Sequence, residues 1–151
     1  LLRNSKRSDR DLAKVLKVSQ PTITRTRHKL EKSGMIKDYT IIPDFEEMGF
    51  ELLAITFIKM RPEILTPEVM EEGKKYSQKW PNAIFASSGE GLGMTGVIMS
   101  FHKDYSEYHS RLNLLRLDWK ELTQDIQSFV VSLREGEFKR FSLTYLSDVP
   151  L

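Results

Sequence analysis

With 151 residues, the chain is long enough for one domain or two small ones. Its 40% apolar and 29% charged residues describe an ordinary soluble protein, and the absence of cysteine excludes a disulfide framework and a thiolate metal centre. The net charge of +2 conceals an asymmetry: residues 1–40 hold 11 Lys and Arg against 4 Asp and Glu, while the remainder is acidic.

A basic head on an acidic body points to a head that binds a polyanion. Chance variation among solvated charges is the bland alternative. No apolar run reaches transmembrane length and no signal peptide opens the chain, so cytoplasmic residence is the expectation. Because Leu1 stands where a methionine would begin a native chain, a few N-terminal residues are expected to be missing.

Leu1 to Asn4 reads as the end of a helix. Ser8 suits an N-cap, with Asp11 three residues on as a carboxylate capping box. Leu12, Val15 and Leu16 form an apolar stripe at helical spacing, and Lys17-Val18-Ser19 makes a tight turn. Ser19 caps a second helix with Pro21 in its first turn, Ile23 and Leu30 point inward, and Gly34 ends it. Two short helices across so tight a turn are the helix-turn-helix arrangement that carries side chains into the major groove of DNA. The candidate DNA-binding residues are Ser19, Gln20, Thr22, Thr24, Arg25, Arg27, His28 and Lys29. Gln bonds adenine bidentately, Arg bonds guanine, a Thr methyl meets thymine, and flanking cations neutralise phosphates. A three-helix scaffold with a solvated cationic face is the competing reading. Met35 to Ile42 is β-prone and partly alternating, as a wing or linking strand would be.

Residues 43–50 interrupt the periodicity and read as a linker. Residues 51–151 then read strand (52–58), helix (67–80), strand (83–87), strand (96–101), helix (104–119), strand (126–133), the ferredoxin-like βαββαβ order in an α+β chain. The first strand is apolar on both parities, so helices should cover one face and a partner chain the other. Tyr105, Tyr108, Leu112, Leu115 and Trp119 fit a core-facing helix stripe. Residues 138–145 suit an extra edge strand or a swapped arm. The glycine-rich run 88–96 lacks the Gly-Lys-Ser/Thr ending of a phosphate loop and reads as a flexible hairpin or effector-site loop. His28, His102 and His109 are too scattered for a metal cluster and read as surface residues.

Ser8-x-x-Asp-Leu-Ala-x-x-Leu-x-Val-Ser, Thr22-Ile-x-Arg and Leu30-Glu-x-x-Gly-x-Ile-x-x-Tyr39 resemble the Lrp/AsnC (feast/famine) family of prokaryotic transcription regulators. Pro43-Asp44, Met48-Gly49 and Asp104-Tyr-x-Glu-Tyr108 extend the resemblance into linker and body. It implies an N-terminal winged helix-turn-helix (1–42), a linker (43–50), and a ferredoxin-like body (51–151) for dimerisation and effector sensing. It also implies no catalytic activity and no cofactor, with double-stranded DNA, further copies of the chain and a small effector such as an amino acid as partners. The effector candidates are Ser88, Gly89, Glu90 and Gly91. Three positions depart from the family pattern. Thr26 stands where Arg is frequent, Arg27 stands at an apolar position and must snorkel outward or face DNA, and Lys17 replaces a turn glycine. In the body, Leu92 occupies the place of an aspartate suited to an amino-acid ammonium group. Two alternatives remain: a sirohaem-decarboxylase-like enzyme using His102, His109 and Arg111, and an effector-sensing module whose head does not bind DNA.

Overall fold

The computed structural model describes residues 1–2, 4–135, 139 and 141–149. The chain divides into two compact units, Leu1–Pro43 with Lys139–Leu151, and Asp44–Phe138.

In the first unit, helix α1 spans Asp9–Leu16 and helix α2 spans Gln20–Lys32. Both start as the sequence dictates. The Ser8 hydroxyl accepts the Asp11 amide at 3.1 Å, and the Ser19 hydroxyl accepts the Thr22 amide at 3.3 Å. Gly34 is left-handed at φ 74. Leu1–Asn4 keeps one turn-like bond, Asn4 amide to Leu1 carbonyl at 3.0 Å.

Lys17 ends α1 at φ 55, ψ 40, the left-handed region where a side chain collides with its own backbone. Two amide bonds, from Lys17 to Lys14 and from Val18 to Ala13, hold it there. Replacing Lys17 with glycine relieves that strain and is expected to stabilise the unit by about 0.5–1 kcal/mol. Thermal unfolding followed by circular dichroism checks the sign.

Residues 35–42 correct the wing expectation: among the described residues they pair with no strand. An isolated extended segment has no ladder to satisfy its backbone. The Ile36 amide bonds the Leu30 carbonyl at 3.1 Å, and the Tyr39 hydroxyl donates to Glu31 at 2.8 Å. The C-terminal edge-strand expectation is also corrected where it can be judged. Leu143–Asp148 forms a 3-10 helix capped by Ser142, while Phe138 and Arg140 lie outside the described residues.

The second unit is a four-stranded antiparallel sheet in the order β2-β3-β1-β4, from Leu52–Met60 (β1), Ala83–Gly91 (β2), Met94–His102 (β3) and Thr123–Ser132 (β4). Helices α3 (Pro67–Gln78) and α4 (Tyr105–Asp118) complete the expected order. Ala54, Ile58 and Met60 of β1, Ile98 of β3 and Ile126 of β4 pack against Tyr108, Leu112 and Leu115 of α4. Tyr105, expected in that stripe, is instead 65% exposed, because it opens the helix one turn before the packed face begins. Tyr76 of α3 donates to Asp118 at 2.6 Å, and its ring lies 5.2 Å from Trp119. Burial first, and then this bond to Asp118, hold the Tyr76 phenol well above its ordinary pKa.

The run 88–96, expected as a flexible hairpin or effector-site loop, is a hairpin and mostly strand. Leu92 (φ 54) and Gly93 (φ 70) form a two-residue turn with both φ positive, the geometry that matches strand twist and lets β2 and β3 pair to its edge. The linker expectation changes as well. Phe45 stacks on Phe101 at 4.2 Å and Phe50 lies 5.7 Å from it, so residues 44–50 cover one end of the second face of the sheet.

His102 corrects the surface expectation. It is 1% exposed, because its place at the end of β3 points it into the core beside Tyr108. The Asn82 amide nitrogen bonds its Nδ1 at 3.3 Å and the Phe101 carbonyl at 3.0 Å, so Nδ1 accepts. The ring proton therefore sits on Nε2 and is donated to Ser100 Oγ at 2.8 Å. Burial holds the pKa of His102 below its ordinary 6.5; nearby Glu107 opposes the shift and Arg111 adds to it. The unfolded chain thus takes up this proton first as the pH falls. The contribution of a neutral His102 to stability is complete above pH 6.5 and declines below it. Thermal unfolding at stepped pH is expected to show this acid-side loss, and His102→Gln is expected to flatten it.

Candidate nucleic-acid interface

Helical spacing sorts the α2 candidates. Thr22, Arg25, Lys29 and Lys32 fall at i, i+3, i+7 and i+10, one stripe along the side opposite Ile23 and Leu30. Lys32 was missed in the sequence, although its spacing was readable there. All four are exposed, and the Arg25 and Lys29 side chains have no hydrogen-bond or ion-pair partner among the described residues. His28 is exposed beside them, with Nδ1 3.2 Å from Glu31. Gln20 is exposed in the first turn, off the main stripe. Ser19 is engaged as the cap, its hydroxyl also 2.7 Å from that of Thr22.

Thr24 and Arg27 are turned elsewhere. Arg27 lies four residues after Ile23 and three before Leu30, on the inward side. Its Nε donates to Asp9 Oδ1 at 2.8 Å, and Thr24 donates to Asp9 Oδ2 at 2.8 Å. The guanidinium also reaches the Tyr39 hydroxyl and the Arg7 carbonyl, each at 3.4 Å. Only 19% of the Arg27 side chain and 20% of the Asp9 side chain are exposed. The Thr24 bond, and next Arg27, hold the Asp9 carboxyl below its ordinary range; Tyr39, and next Asp9, tighten the hold of Arg27 on its proton. Arg27 therefore does not snorkel to water and lies off the outward stripe. It joins α2 to α1 and to the segment after α2, replacing an apolar contact with a charge-assisted one.

The effector candidates Ser88, Gly89, Glu90 and Gly91 lie in succession along the exposed end of β2. Leu92, one residue on, is 85% exposed at the hairpin tip and offers no acceptor to an ammonium group.

No protein-family model matches the chain. A regulator named LrpA from Pyrococcus abyssi is 31% identical over 87 residues, covering 58% of this chain and 60% of its own length. The first of the curated relatives are matched over only 40–60% of their length. Two solved structures superpose over nearly the whole chain. An AsnC family transcriptional regulator from Agrobacterium tumefaciens gives a TM-score of 0.78 at 17% identity, covering 97% of this chain and 92% of that one. A transcriptional regulator from Neisseria meningitidis, solved in complex with L-methionine, gives 0.77 at 21% identity with the same coverage. The chain has the fold of the Lrp/AsnC regulators. Its Lrp/AsnC fold comprises a helix-turn-helix head and a ferredoxin-like body, and the curated relatives are named as helix-turn-helix transcription regulators. No helix among the described residues is long and apolar enough to cross a membrane.

Proposed function

We propose that the protein is a sequence-specific, double-stranded-DNA-binding transcription regulator that acts in the cytoplasm as a homo-oligomer and is not an enzyme. The outward stripe Thr22, Arg25, Lys29 and Lys32, on a helix capped by Ser19, carries this reading. It gathers base-reading and phosphate-neutralising chemistry on one face, with its cations uncommitted. Residues 1–42 are the DNA-reading part in this proposal, residues 43–50 the connection, and residues 51–151 the assembly part. Two copies would set their second helices in successive major grooves, about 34 Å apart. Thr24 and Arg27 support the head from within instead of touching bases.

Assembly is supported by the second face of the sheet. Phe85, Met99, Ile55 and Phe129 form one cross-strand row there, with Phe57 and Val97 in the next. Phe129 is 65% exposed and Phe85 50% exposed, an apolar patch of the kind that marks a protein contact. A small effector at Ser88 to Gly91 remains part of the proposal. The hairpin carries Leu92 where an aspartate suited to an amino-acid ammonium would stand, and Glu90 is the acidic group beside it. The sirohaem-decarboxylase reading gains nothing from His102, whose two ring nitrogens are both engaged in the core.

Fluorescence anisotropy with promoter fragments across a salt series tests DNA binding. The logarithm of affinity is expected to fall with the logarithm of salt by about 0.9 per phosphate neutralised. A slope near zero would sink the proposal.

A further inference from the structure

A cavity of about 290 Å³ lies within the second unit, between α3 and the β2–β3 side of the sheet. It exists because small residues meet there. Gly73 and Ser77 lie one turn apart on α3, facing Ala86 and Ser88 of β2 and Gly96 of β3. An added Cβ at Gly73 would stand 3.1 Å from the Trp119 ring, tighter than an ordinary contact. Ile58, Met60, Ile98 and Trp119 supply the apolar wall.

Three of the four hydroxyls around this space, those of Ser77, Ser87 and Thr95, are already engaged. Thr95 accepts the Met60 amide at 2.9 Å and donates to the Ile58 carbonyl at 3.2 Å. Ser77 donates to the Lys74 carbonyl and Ser87 to the Ser88 carbonyl, each at 2.9 Å. The one charged lining group is Lys74, two-thirds exposed, with its ammonium in only a loose pair to Glu71 at 3.8 Å. No carboxylate lines the cavity. An apolar chamber with a single available cation selects an apolar body carrying one anionic group. It disfavours a zwitterion, whose ammonium would lose its water without gaining a carboxylate. The volume lies near the low end for ligand pockets, about 300 Å³, which limits the occupant to a small molecule.

We infer that this cavity binds a small apolar monocarboxylate, seated between α3 and β2 with its carboxylate against Lys74, and that it excludes free amino acids of similar shape.

Calorimetric titration of the intact protein with 4-methylpentanoate, leucine and 4-methylpentan-1-ol, with Trp119 fluorescence as a second signal, tests this. The carboxylate is expected to bind at millimolar concentration or better, and the alcohol and leucine at least tenfold more weakly. Ala86→Leu, which fills the chamber, and Lys74→Gln, which removes the cation, should each weaken carboxylate binding at least tenfold. Circular dichroism spectra of both variants are expected to match that of the parent. Absence of carboxylate binding, equal binding of leucine or of the alcohol, or undiminished binding by a folded Ala86→Leu variant would each overturn the assignment. The titration needs no DNA, so its failure leaves the regulator reading standing.

Discussion

Phe129→Asp is expected to convert the proposed assembly into monomers at micromolar concentration. Phe129 ends the row that runs from Phe85 through Met99 and Ile55, on the face opposite α4. Within one protomer the ring is largely in water, so the change removes little internal packing and the monomer should melt where the parent monomer does. In the proposed assembly the same ring is desolvated against a second copy. A carboxylate in its place would be buried without a partner, at a cost of several kcal/mol. Since each 1.4 kcal/mol is tenfold, the dissociation constant should rise by a factor of at least about 100. Sedimentation velocity over a concentration series reads it directly. An unchanged distribution of species would show that copies meet elsewhere.

Arg25→Ala carries the second large expectation. The Arg25 side chain is exposed at the centre of the outward stripe and contributes nothing to internal bonding among the described residues. Its loss should leave thermal stability unchanged. Affinity for an operator selected from genomic DNA should fall by about 1–3 kcal/mol, with relaxed preference at one base position. A phosphate contact would behave differently. It would weaken all sequences alike and reduce the salt slope by about 1. Equal affinity of variant and parent for the operator would remove Arg25 from the interface. Arg27→Ala is the informative contrast. Because Arg27 holds Asp9 and Tyr39, its loss should act first on the folding of the head and reach DNA affinity only through it.

Much of the fold was legible because local chemistry and periodicity agree. Ser8, Ser19 and Asp104 cap the helices that their positions announce, and Gly34 ends one of them. The two-parity apolar run of β1 predicted one face under helices and the other under a partner chain, and the burial of Ala54, Ile58 and Met60 accords with the first of these. These outcomes depend on neighbours a few residues apart.

Arg27 shows where such reasoning ends. Sequence alone left two outcomes for a cation at an apolar position. The third needed Asp9, 18 residues earlier, to arrive beside it. Position 102 is similar. Histidine is neutral or charged near physiological pH according to its surroundings, and Asn82 and Ser100 became its surroundings only when β3 was in place. The wing, the strand-like end of the hairpin and the packing of Phe45 on Phe101 were decided in the same way, by whether a backbone or a ring found a partner. The helix caps, the charge division and the alternation of the strands are properties of short stretches of chain, so the sequence by itself determined them. Which polar side chains remained available to a ligand depended on long-range encounters, and only the tertiary structure decided it.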